Sequence, residues 1–267
     1  MRQSVKNSQK KDVQQITISI ITVVYNGENL LEGTIQSVLN QTYPNIEYIV
    51  VDGQSKDGTL AIIERYADRI STWISEPDNG LYDAMNKSLD LATGDFVWFM
   101  NAGDRIFALD TVEKMVAKYT PKTDILYGEV MLVDDARNHI GTRSKLTTQK
   151  LPKQLSFNSL QKGMVVCHQG FLPRRRIAKK YISENLAADI DWVLECLKQS
   201  RKNTNTGLIL SEYLQGGVSK QRHQQSLKDR YQVLKKHYGF LPNLWNHFWI
   251  ILRGIWFKIS RFNQDSY

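Results

Sequence analysis

The sequence predicts an α/β fold in which a mostly parallel sheet is flanked by helices, followed by a helical extension at the C-terminal end. Three observations support this. Apolar runs alternate with amphipathic segments over the first 110 residues, the first run is β-branched and nearly continuous, and polar residues follow the end of each run. Strand–helix alternation of this kind is typical of parallel sheets with right-handed crossovers, and continuous apolar strands are typical of sheets covered on both faces.

The elements follow in order along the chain. ITISIITVVY, EYIVV, STWIS and FVWFM are predicted strands, and the first of them covers Ile16–Tyr25. Helices are predicted between them, at Leu30–Asn40 and in the segments GTLAIIERYADR and LYDAMNKSLDLA. Asp57 is expected to cap the second helix, and Gly94 to end the third.

Polar side chains follow the four predicted strands, and this pattern indicates a binding site. They are Asn26, Asp52, Glu76 with Asp78, and Asn101 with Asp104. The carboxyl ends of parallel strands lie along one edge of a sheet, where α/β proteins bind their ligands. A single Asp after a strand is usually a turn former, but four such positions predict one cleft.

The alternation weakens after Asp110. A helix is predicted at Asp110–Tyr119, then the strand ILYGEVMLV and a hairpin turn at residues 134–138. Apolar residues at helical spacing predict a helix that starts near Ser183 and includes Leu186. Gly216-Gly217 is expected to break the chain before a basic helix at Gln224–His237.

Charge is unevenly divided along the 267 residues. Residues 1–144 carry a net charge of −6 and residues 145–267 carry +14. The basic second part suggests an anionic partner or a set of solvated basic helices. Cys167 and Cys196 show no metal or disulfide spacing, which fits a reducing cytoplasm. Residues 1–15 are expected to be a flexible leader, because they lack the apolar core of a signal peptide.

The segment Asn243–Phe262 is predicted to be an amphipathic helix. On a helical wheel, Leu244, Trp245, Phe248, Trp249 and further apolar residues share one arc, opposite Asn246, His247, Arg253, Lys258 and Arg261. Ile250 and Phe257 break the pattern. Such a helix suits a membrane interface, and the alternative is a helix docked on the rest of the chain or on a second copy.

The residues favour chemistry on a phosphorylated ligand. A nucleoside diphosphate needs a hard cation or several Lys and Arg groups, and a carboxylate with phosphate oxygens and water is an ordinary Mg²⁺ or Mn²⁺ ligand set. Asp104 is the expected protein ligand, and Asp52 the expected partner of a base or ribose. Neither the G-x-G-x-x-G fingerprint nor a Walker sequence follows the first strand, which disfavours nicotinamide oxidoreductases and P-loop hydrolases.

Four motifs carry a resemblance to a known family. ISIITVVYN, VVDGQSKDGT, EPDNGLYDAMNKSL and GDFVWFMNAGD resemble the N-terminal half of inverting glycosyltransferases of family 2. The resemblance is strong over residues 16–108 and looser to about residue 240. It implies a GT-A type, Rossmann-like domain at residues 16–240, with a nucleotide-sugar-binding half at 16–108 and an acceptor-binding half at 109–240. Residues 241–267 then form the C-terminal helix. The EPDNGLYDAMNK form resembles the branch that builds capsules, colanic acid-like polymers and other exopolysaccharides.

The resemblance also implies roles for individual residues. Asp189 would be the catalytic base and Asp104 would bind the metal. The residues implied at the nucleotide sugar are Tyr25, Asn26, Asp52, Asp78, Asn86 and Asn101.

Three departures from the family pattern leave alternatives open. Gly103 stands where many relatives have a second Asp, so the metal site rests on Asp104. Met85 replaces an Arg, and Lys87 or Arg105 would supply its charge. Ala188 replaces the Glu of a Glu-Asp pair, so Asp191 is a rival base. His168 and His223 are further candidates for metal or diphosphate binding, ranked below the carboxylates.

The sequence therefore predicts a metal-dependent inverting glycosyltransferase. Its donor would be a nucleoside diphosphate sugar, with UDP as the default, and its acceptor a glycan or lipid-linked glycan. A cytoplasmic protein with peripheral contact at the inner membrane face is expected, and no nucleic acid partner, because no such motif is present. The alternatives are a nucleotidyltransferase that makes a sugar nucleotide and a non-enzymatic basic membrane-binding module.

Overall fold

A four-stranded parallel sheet forms the first half of the molecule. The computed structural model describes residues 16–183, 185–215 and 223–262. The strands of this sheet are β1 (Ile18–Val24), β2 (Ile46–Asp52), β3 (Thr72–Ser75) and β4 (Phe96–Phe99), in the order β3-β2-β1-β4. All three pairings are parallel, and every residue of β1 is buried. The predicted strands and their parallel arrangement are confirmed.

Helices cover both faces of this sheet. One apolar core contains side chains from α1 (Leu31–Leu39), α2 (Thr59–Arg65) and α4 (Thr111–Val116). A second core, on the other side of the strands, contains side chains from α3 (Leu81–Leu91) and α6 (Ala188–Gln199). Alternate residues of β1, such as Ile20 and Ile21, enter opposite cores, as the pleat of a strand requires. Burial on both faces explains the continuous apolar sequence of β1.

A second, mixed sheet follows β4. It contains β5 (Arg105–Ile106), β6 (Ile125–Val133), β7 (His139–Thr142), β8 (Phe171–Pro173) and β9 (Asn203–Leu214), ordered β5-β9-β6-β7 with β8 also paired to β6. The predicted β6–β7 hairpin is confirmed, and a short helix, α5 (Arg143–Leu146), follows it. One bridge between Phe96 and Arg174 links the two sheets.

Strand β9 was not expected from the sequence, although it pairs in parallel with β6 along most of its length. Its first half is polar, and Gly207 takes a positive φ of 70° where the register shifts. Thr206 and Ser211 are buried but donate hydrogen bonds to the carbonyl oxygens of Tyr127 and Gln169. Because these buried positions carry hydrogen-bonded hydroxyls, the sequence of β9 lacks the alternation of apolar and polar residues from which a strand is predicted.

Two helices end the described chain, α7 (His223–Tyr238) and α8 (Phe240–Phe262), with Gly239 between them at a φ of 85°. Within the described ranges, no helix is long and apolar enough to cross a bilayer. The predicted helix near Ser183 begins later, at Ala188, and Leu186 precedes it. The expected leader at residues 1–15 and the break at Gly216-Gly217 lie outside the described residues.

Candidate active site

A cavity of about 370 Å³ opens at the carboxyl ends of β1, β2 and β3. Its volume lies in the range of small-molecule sites. The residues that line it come from the loops after these three strands: Tyr25, Gly53, Gln54, Lys56, Pro77, Asp78 and Gly80. Two of the predicted nucleotide-binding residues, Tyr25 and Asp78, are therefore brought together in one pocket.

Gly53 allows Asp78 to enter this pocket. A Cβ built on Gly53 would lie 2.3 Å from Asp78 Oδ2, so that a side chain at this position would displace the Asp78 carboxylate. The other oxygen, Asp78 Oδ1, accepts a hydrogen bond from the Gly80 N–H at 2.8 Å. The Asp78 carboxylate is thus fixed at the pocket wall, where it is half-buried and available to accept hydrogen bonds from a ligand.

Asp52 and Asn26 lie beneath and beside the pocket and hold its loops. Asp52 is fully buried and accepts hydrogen bonds from the Ser55 N–H and the Ser75 hydroxyl, the latter at 2.6 Å. Asn26, at a positive φ of 48°, accepts the Lys56 N–H at 2.8 Å. Both residues shape the loops of the pocket in this structure, and their direct contact with a ligand stays a prediction.

The turn after β4 buries Asp104. Its carboxylate accepts hydrogen bonds from Gln169 Nε2 at 2.9 Å and from the Leu214 N–H at 3.3 Å, and its own backbone carbonyl accepts the Thr34 hydroxyl. Burial raises the pKa of Asp104 to about 7, although these two hydrogen bonds act in the opposite direction. The amide oxygen of Asn101, in the same turn, is buried and has no hydrogen-bond partner.

These residues fit a divalent cation only in part. No group of three or more His, Cys, Asp or Glu side chains that could hold a metal ion exists within residues 16–183, 185–215 and 223–262. A carboxylate oxygen accepts more than one bond, so Asp104 retains acceptor capacity beside Gln169 and Leu214. The unpaired Asn101 oxygen is the kind of neutral ligand that hard cations accept. The turn therefore offers a cation at most these two side chains, and the other ligands would have to be phosphate and water.

Asp189 lies in the first turn of α6. It is half-buried, and burial raises its pKa, while the positive charges of Arg230 and Arg143 oppose the shift. Burial is the main cause of the raised pKa of the Cys167 thiol and of the Tyr213 hydroxyl. The negative charges of Asp104 and Asp189 raise both pKa values further. Two aspartates from distant parts of the sequence thus act electrostatically on the same two side chains.

Asp191, the rival base, has a different environment. Its carboxylate accepts hydrogen bonds from Lys236 Nζ and His237 Nε2, both at 2.7 Å, and its side chain is 4% exposed. Burial alone would raise the pKa of Asp191, but these two partners lower it. In this structure Asp191 joins α6 to α7, and its role as the rival base stays a prediction.

Three other predicted residues do not line the pocket, and their side chains have contacts elsewhere in the chain or at the pocket wall. The Asn86 amide exchanges hydrogen bonds with both backbone groups of Tyr181. Lys87 contacts Glu76 and donates to the Pro77 carbonyl. Arg105 packs on α1, where a Cβ on Gly33 would meet its guanidinium, and its Nε is buried without a partner. The structure thus does not place Asn86, Lys87 and Arg105 among the residues that line the pocket.

The structure describes the side chain of one of the two histidine candidates. His168 is buried, its Nε2 lies 2.6 Å from the Tyr181 hydroxyl, and burial lowers its pKa to about 4. Its ring is packed in the core, and a role in metal or diphosphate binding stays a prediction. The side chain of His223 lies outside the described part of the chain, so its predicted metal role stays a prediction.

Four residues that act on Asp104, on Asp189 or on the turn of Asp104 were not identified from the sequence. Gln169 holds Asp104, and Arg143 and Arg230 act on Asp189. Arg137, from the β6–β7 turn, donates to the Gly103 carbonyl at 2.6 Å. Isolated cations in loops and on helices give no local signal, since only the tertiary fold brings them to the carboxylates. The sequence shows Gln169 itself, but it does not show that its hydrogen-bond partner is Asp104, 65 residues away.

A pocket at the carboxyl ends of parallel strands is typical of α/β proteins that bind their ligands at this edge of the sheet. Comparison with known proteins identifies the family. The profile of glycosyl transferase family 2 matches residues 19–182, more than half of the chain. The chain belongs to glycosyl transferase family 2.

Sequence relatives agree with this assignment. An uncharacterized glycosyltransferase of Mycobacterium tuberculosis is 39% identical over 107 residues, 40% of this chain and 41% of the relative. The PGL/p-HBAD biosynthesis glycosyltransferase of Mycobacterium bovis is 28% identical over 213 residues, 75% of this chain and 78% of the relative. TuaG of Bacillus subtilis, a putative teichuronic acid biosynthesis glycosyltransferase, is 37% identical over 102 residues, 37% of this chain and 40% of the relative. The first of these matches thus spans less than half of the relative's length.

Solved structures confirm the GT-A type fold. S. aureus TarS 1-349 in complex with UDP-GlcNAc superimposes with a TM-score of 0.66 at 17% identity, covering 82% of this chain and 65% of that one. The mannosyltransferase PcManGT of Pyrobaculum calidifontis, in complex with GDP-Man and Mn²⁺, gives 0.63 at 17% identity, covering 90% and 74%.

Proposed function

We propose that this chain transfers a sugar from a nucleoside diphosphate sugar to a glycan or lipid-linked glycan, with inversion at the anomeric carbon, in surface polysaccharide biosynthesis. The observation that carries the proposal is the pocket walled by Asp78 at the strand ends. The half-buried Asp189 supports it, because Asp189 and Asp104 act electrostatically on the same two side chains. UDP is the proposed nucleotide, as in the TarS complexes. Polysaccharide biosynthesis follows the description of TuaG.

In this proposal Asp189 is the general base. Its carboxylate takes the proton of the acceptor hydroxyl as that oxygen forms a bond to the anomeric carbon. The bond from this carbon to the diphosphate oxygen breaks on the opposite face, and the nucleoside diphosphate leaves. A base whose pKa is raised toward the working pH accepts a proton more readily than an ordinary Asp. Inversion needs one such base, because the attack is a single displacement.

The charge of the leaving diphosphate requires compensation. Asp104 and Asn101 would hold Mg²⁺ or Mn²⁺ together with the diphosphate, and the cation, when bound, stabilises the departing oxygens. Arg143 and Arg230 add positive charge beside Asp189. In the proposed reaction the carbon that is attacked carries the diphosphate, so this charge would lie near the leaving group as well. Because the protein provides few ligands, we expect the cation to bind tightly only in the presence of nucleotide.

Calorimetry of donor binding tests the proposal. UDP, GDP and dTDP, and sugars carried on each, are titrated with Mn²⁺ and with a chelator. We expect one nucleotide to bind, with higher affinity in Mn²⁺. Failure of all three nucleotides to bind under both conditions would contradict the proposed donor class.

Gly53→Ala is expected to weaken nucleotide binding about tenfold, because the new methyl group displaces the Asp78 carboxylate and removes a hydrogen bond to a charged group. Gly254→Ala is the matched control, since a Cβ on Gly254 meets no atom within 4 Å. Both dissociation constants are measured by calorimetry. Equal affinity in the two variants would remove Asp78 from the nucleotide site.

The pH dependence of kcat is expected to report Asp189. Its pKa is raised by burial, so the protonated, inactive form persists to a higher pH than an ordinary Asp with a pKa of about 3.9 allows. We expect kcat to rise with pH through this raised pKa and then level off. Measuring kcat at saturating donor separates this limb from the titration of Asp104, which affects donor binding. A kcat that stays flat through the acid range would contradict the assignment.

The proposed setting is the cytoplasmic side of the cell membrane, where nucleotide sugars and lipid-linked acceptors meet. Peripheral association of the chain with that surface is part of this proposal.

A further inference from the structure

Helix α8 packs against the rest of the chain with its polar side. Asn243 and Asn246 are buried, and Asn243 Nδ2 donates to the Tyr231 carbonyl at 3.3 Å. The His247 ring lies edge-on to Tyr231, with centroids 4.9 Å apart. Further along the helix, Arg253 donates to the Lys162 carbonyl at 2.9 Å. Ile250, which broke the predicted apolar arc, is half-buried on this inner side.

The apolar side of α8 faces outward. Most of its large side chains are exposed, and Trp256 is 73% exposed. The exposed set is Phe240, Leu241, Leu244, Trp245, Phe248, Trp249, Ile251, Leu252, Ile255 and Trp256. A surface helix of a water-soluble protein normally buries its apolar stripe, and a contiguous patch of this kind marks an interaction surface. The amphipathic helix is therefore docked in the inverse orientation.

Lysines border this apolar face. Lys162 Nζ lies 5.5 Å from the centre of the Trp249 ring, and Lys235 Nζ lies 5.6 Å from that of Phe240. The sequence from residue 223 to residue 262 contains a single acidic residue, Asp229, and a strong excess of cations. They are Lys228, Arg230, Lys235, Lys236, Arg253, Lys258 and Arg261. An aromatic face with a cationic border complements the boundary between acyl chains and anionic headgroups.

We propose that α8 lies in the interfacial region of an anionic bilayer, with the exposed apolar set inserted and Lys162 and Lys235 at the headgroups. The three exposed tryptophans, Trp245, Trp249 and Trp256, match the preference of this residue type for the interface. A second copy of the chain is the competing occupant. Its α8 would bring the same positive border against this one, and like charges at close range oppose that pairing.

The same contacts fix the orientation of α8 relative to Asp189. Helix α7 joins α8 through Tyr231, and it joins α6 through Lys236, His237 and their partner Asp191. Asp229 of α7 also accepts the Leu186 N–H, just before α6 begins. Resting on the proposed function, the bilayer-bound helix and the helix that carries Asp189 are thus joined through α7.

Vesicle co-sedimentation tests this inference with the full-length chain. Vesicles of phosphatidylcholine are compared with vesicles that also contain phosphatidylglycerol. We expect binding to the anionic vesicles and a blue shift of tryptophan fluorescence. Leu244→Ser with Ile251→Ser should weaken that binding about tenfold or more, because two apolar side chains leave the bilayer.

The control pair is Leu109→Ser with Ile140→Ser. These residues match in type and are comparably exposed, at 61% and 46% against 53% and 61% for Leu244 and Ile251, but they lie outside α8. We expect this variant to bind vesicles like the unmodified chain. Lys162→Glu with Lys235→Glu should reduce the preference for anionic vesicles. Equal vesicle binding by the two Leu/Ile pairs would overturn the proposal.

Two further measurements distinguish the alternatives. If light scattering shows a dimer that becomes a monomer in Leu244→Ser with Ile251→Ser, and vesicles do not bind, the face is an interface between copies and the proposal is wrong. Donor hydrolysis in the absence of vesicles reports the proposed activity separately. If the unmodified chain hydrolyses a donor but does not bind vesicles, the membrane proposal is contradicted and the proposed function is not. If the chain binds vesicles but turns over no donor, the proposed function is contradicted and the membrane proposal is not.

Discussion

Asp189→Asn is expected to lower kcat for sugar transfer by about a thousandfold, within the usual contribution of a general base. An amide of nearly the same shape cannot take the acceptor proton. Nucleotide affinity should change little, because the pocket that Tyr25 and Asp78 line is built by other loops. Transfer is measured at saturating donor and acceptor, and binding by calorimetry.

Asp191→Ala provides the matched comparison on the same helix. Its carboxylate joins α6 to Lys236 and His237. Loss of this carboxylate should lower the free energy of unfolding by about 2 kcal/mol. The contribution of the Lys236 ion pair to that figure is small, because Lys236 is exposed to solvent. The folded enzyme should retain transfer. Normal turnover by Asp189→Asn together with loss of turnover in folded Asp191→Ala would reverse the two assignments.

Asp104→Ala is expected to abolish the effect of Mn²⁺ on nucleotide affinity. In the unmodified chain we expect Mn²⁺ to raise that affinity at least about tenfold, because a cation bridging carboxylate and diphosphate neutralises charge on both. Without the carboxylate, titrations in Mn²⁺ and in chelator should give the same dissociation constant. This comparison within one variant is independent of any overall loss of stability.

Asp124→Ala controls for the removal of a buried aspartate. Like Asp104, Asp124 is almost fully buried and accepts N–H groups, those of Arg176 and of the Arg201 backbone. It lies away from the nucleotide pocket. We expect this variant to lose stability but to keep the Mn²⁺ effect. A Mn²⁺ effect that survives in Asp104→Ala would show that Asp104 only holds the turn.

The first sheet could be predicted from the sequence because its signals are local. Strands β1, β2 and β4 are short apolar runs, and their helices show regular apolar spacing. Strand β9 could not, because the groups that satisfy its buried Thr206 and Ser211 come from β6 and Gln169. The periodicity of apolar residues predicts which side chains face a core, but it gives no signal where the buried residues carry hydrogen-bonded hydroxyls.

The site shows the same division. The positions of Asp78, Asp104 and Asp189 follow from motifs, but the state of each depends on residues distant in sequence. Asp52 and Asn86 matched motif positions, yet the fold uses their hydrogen bonds internally. Likewise, the wheel of α8 identified two faces, but which face packs inward is a tertiary property set by Tyr231 and Lys162.

The most direct test of the account is a turnover screen of nucleotide sugars with the purified chain, with Mn²⁺ or chelator, and with Asp189→Asn as the reference. Release of nucleoside diphosphate identifies the donor, and NMR of the transferred sugar gives its anomeric configuration. We predict that one donor is consumed in Mn²⁺, that the configuration is inverted, and that Asp189→Asn is inactive. A product that retains the donor configuration, or equal turnover by Asp189→Asn, would contradict it.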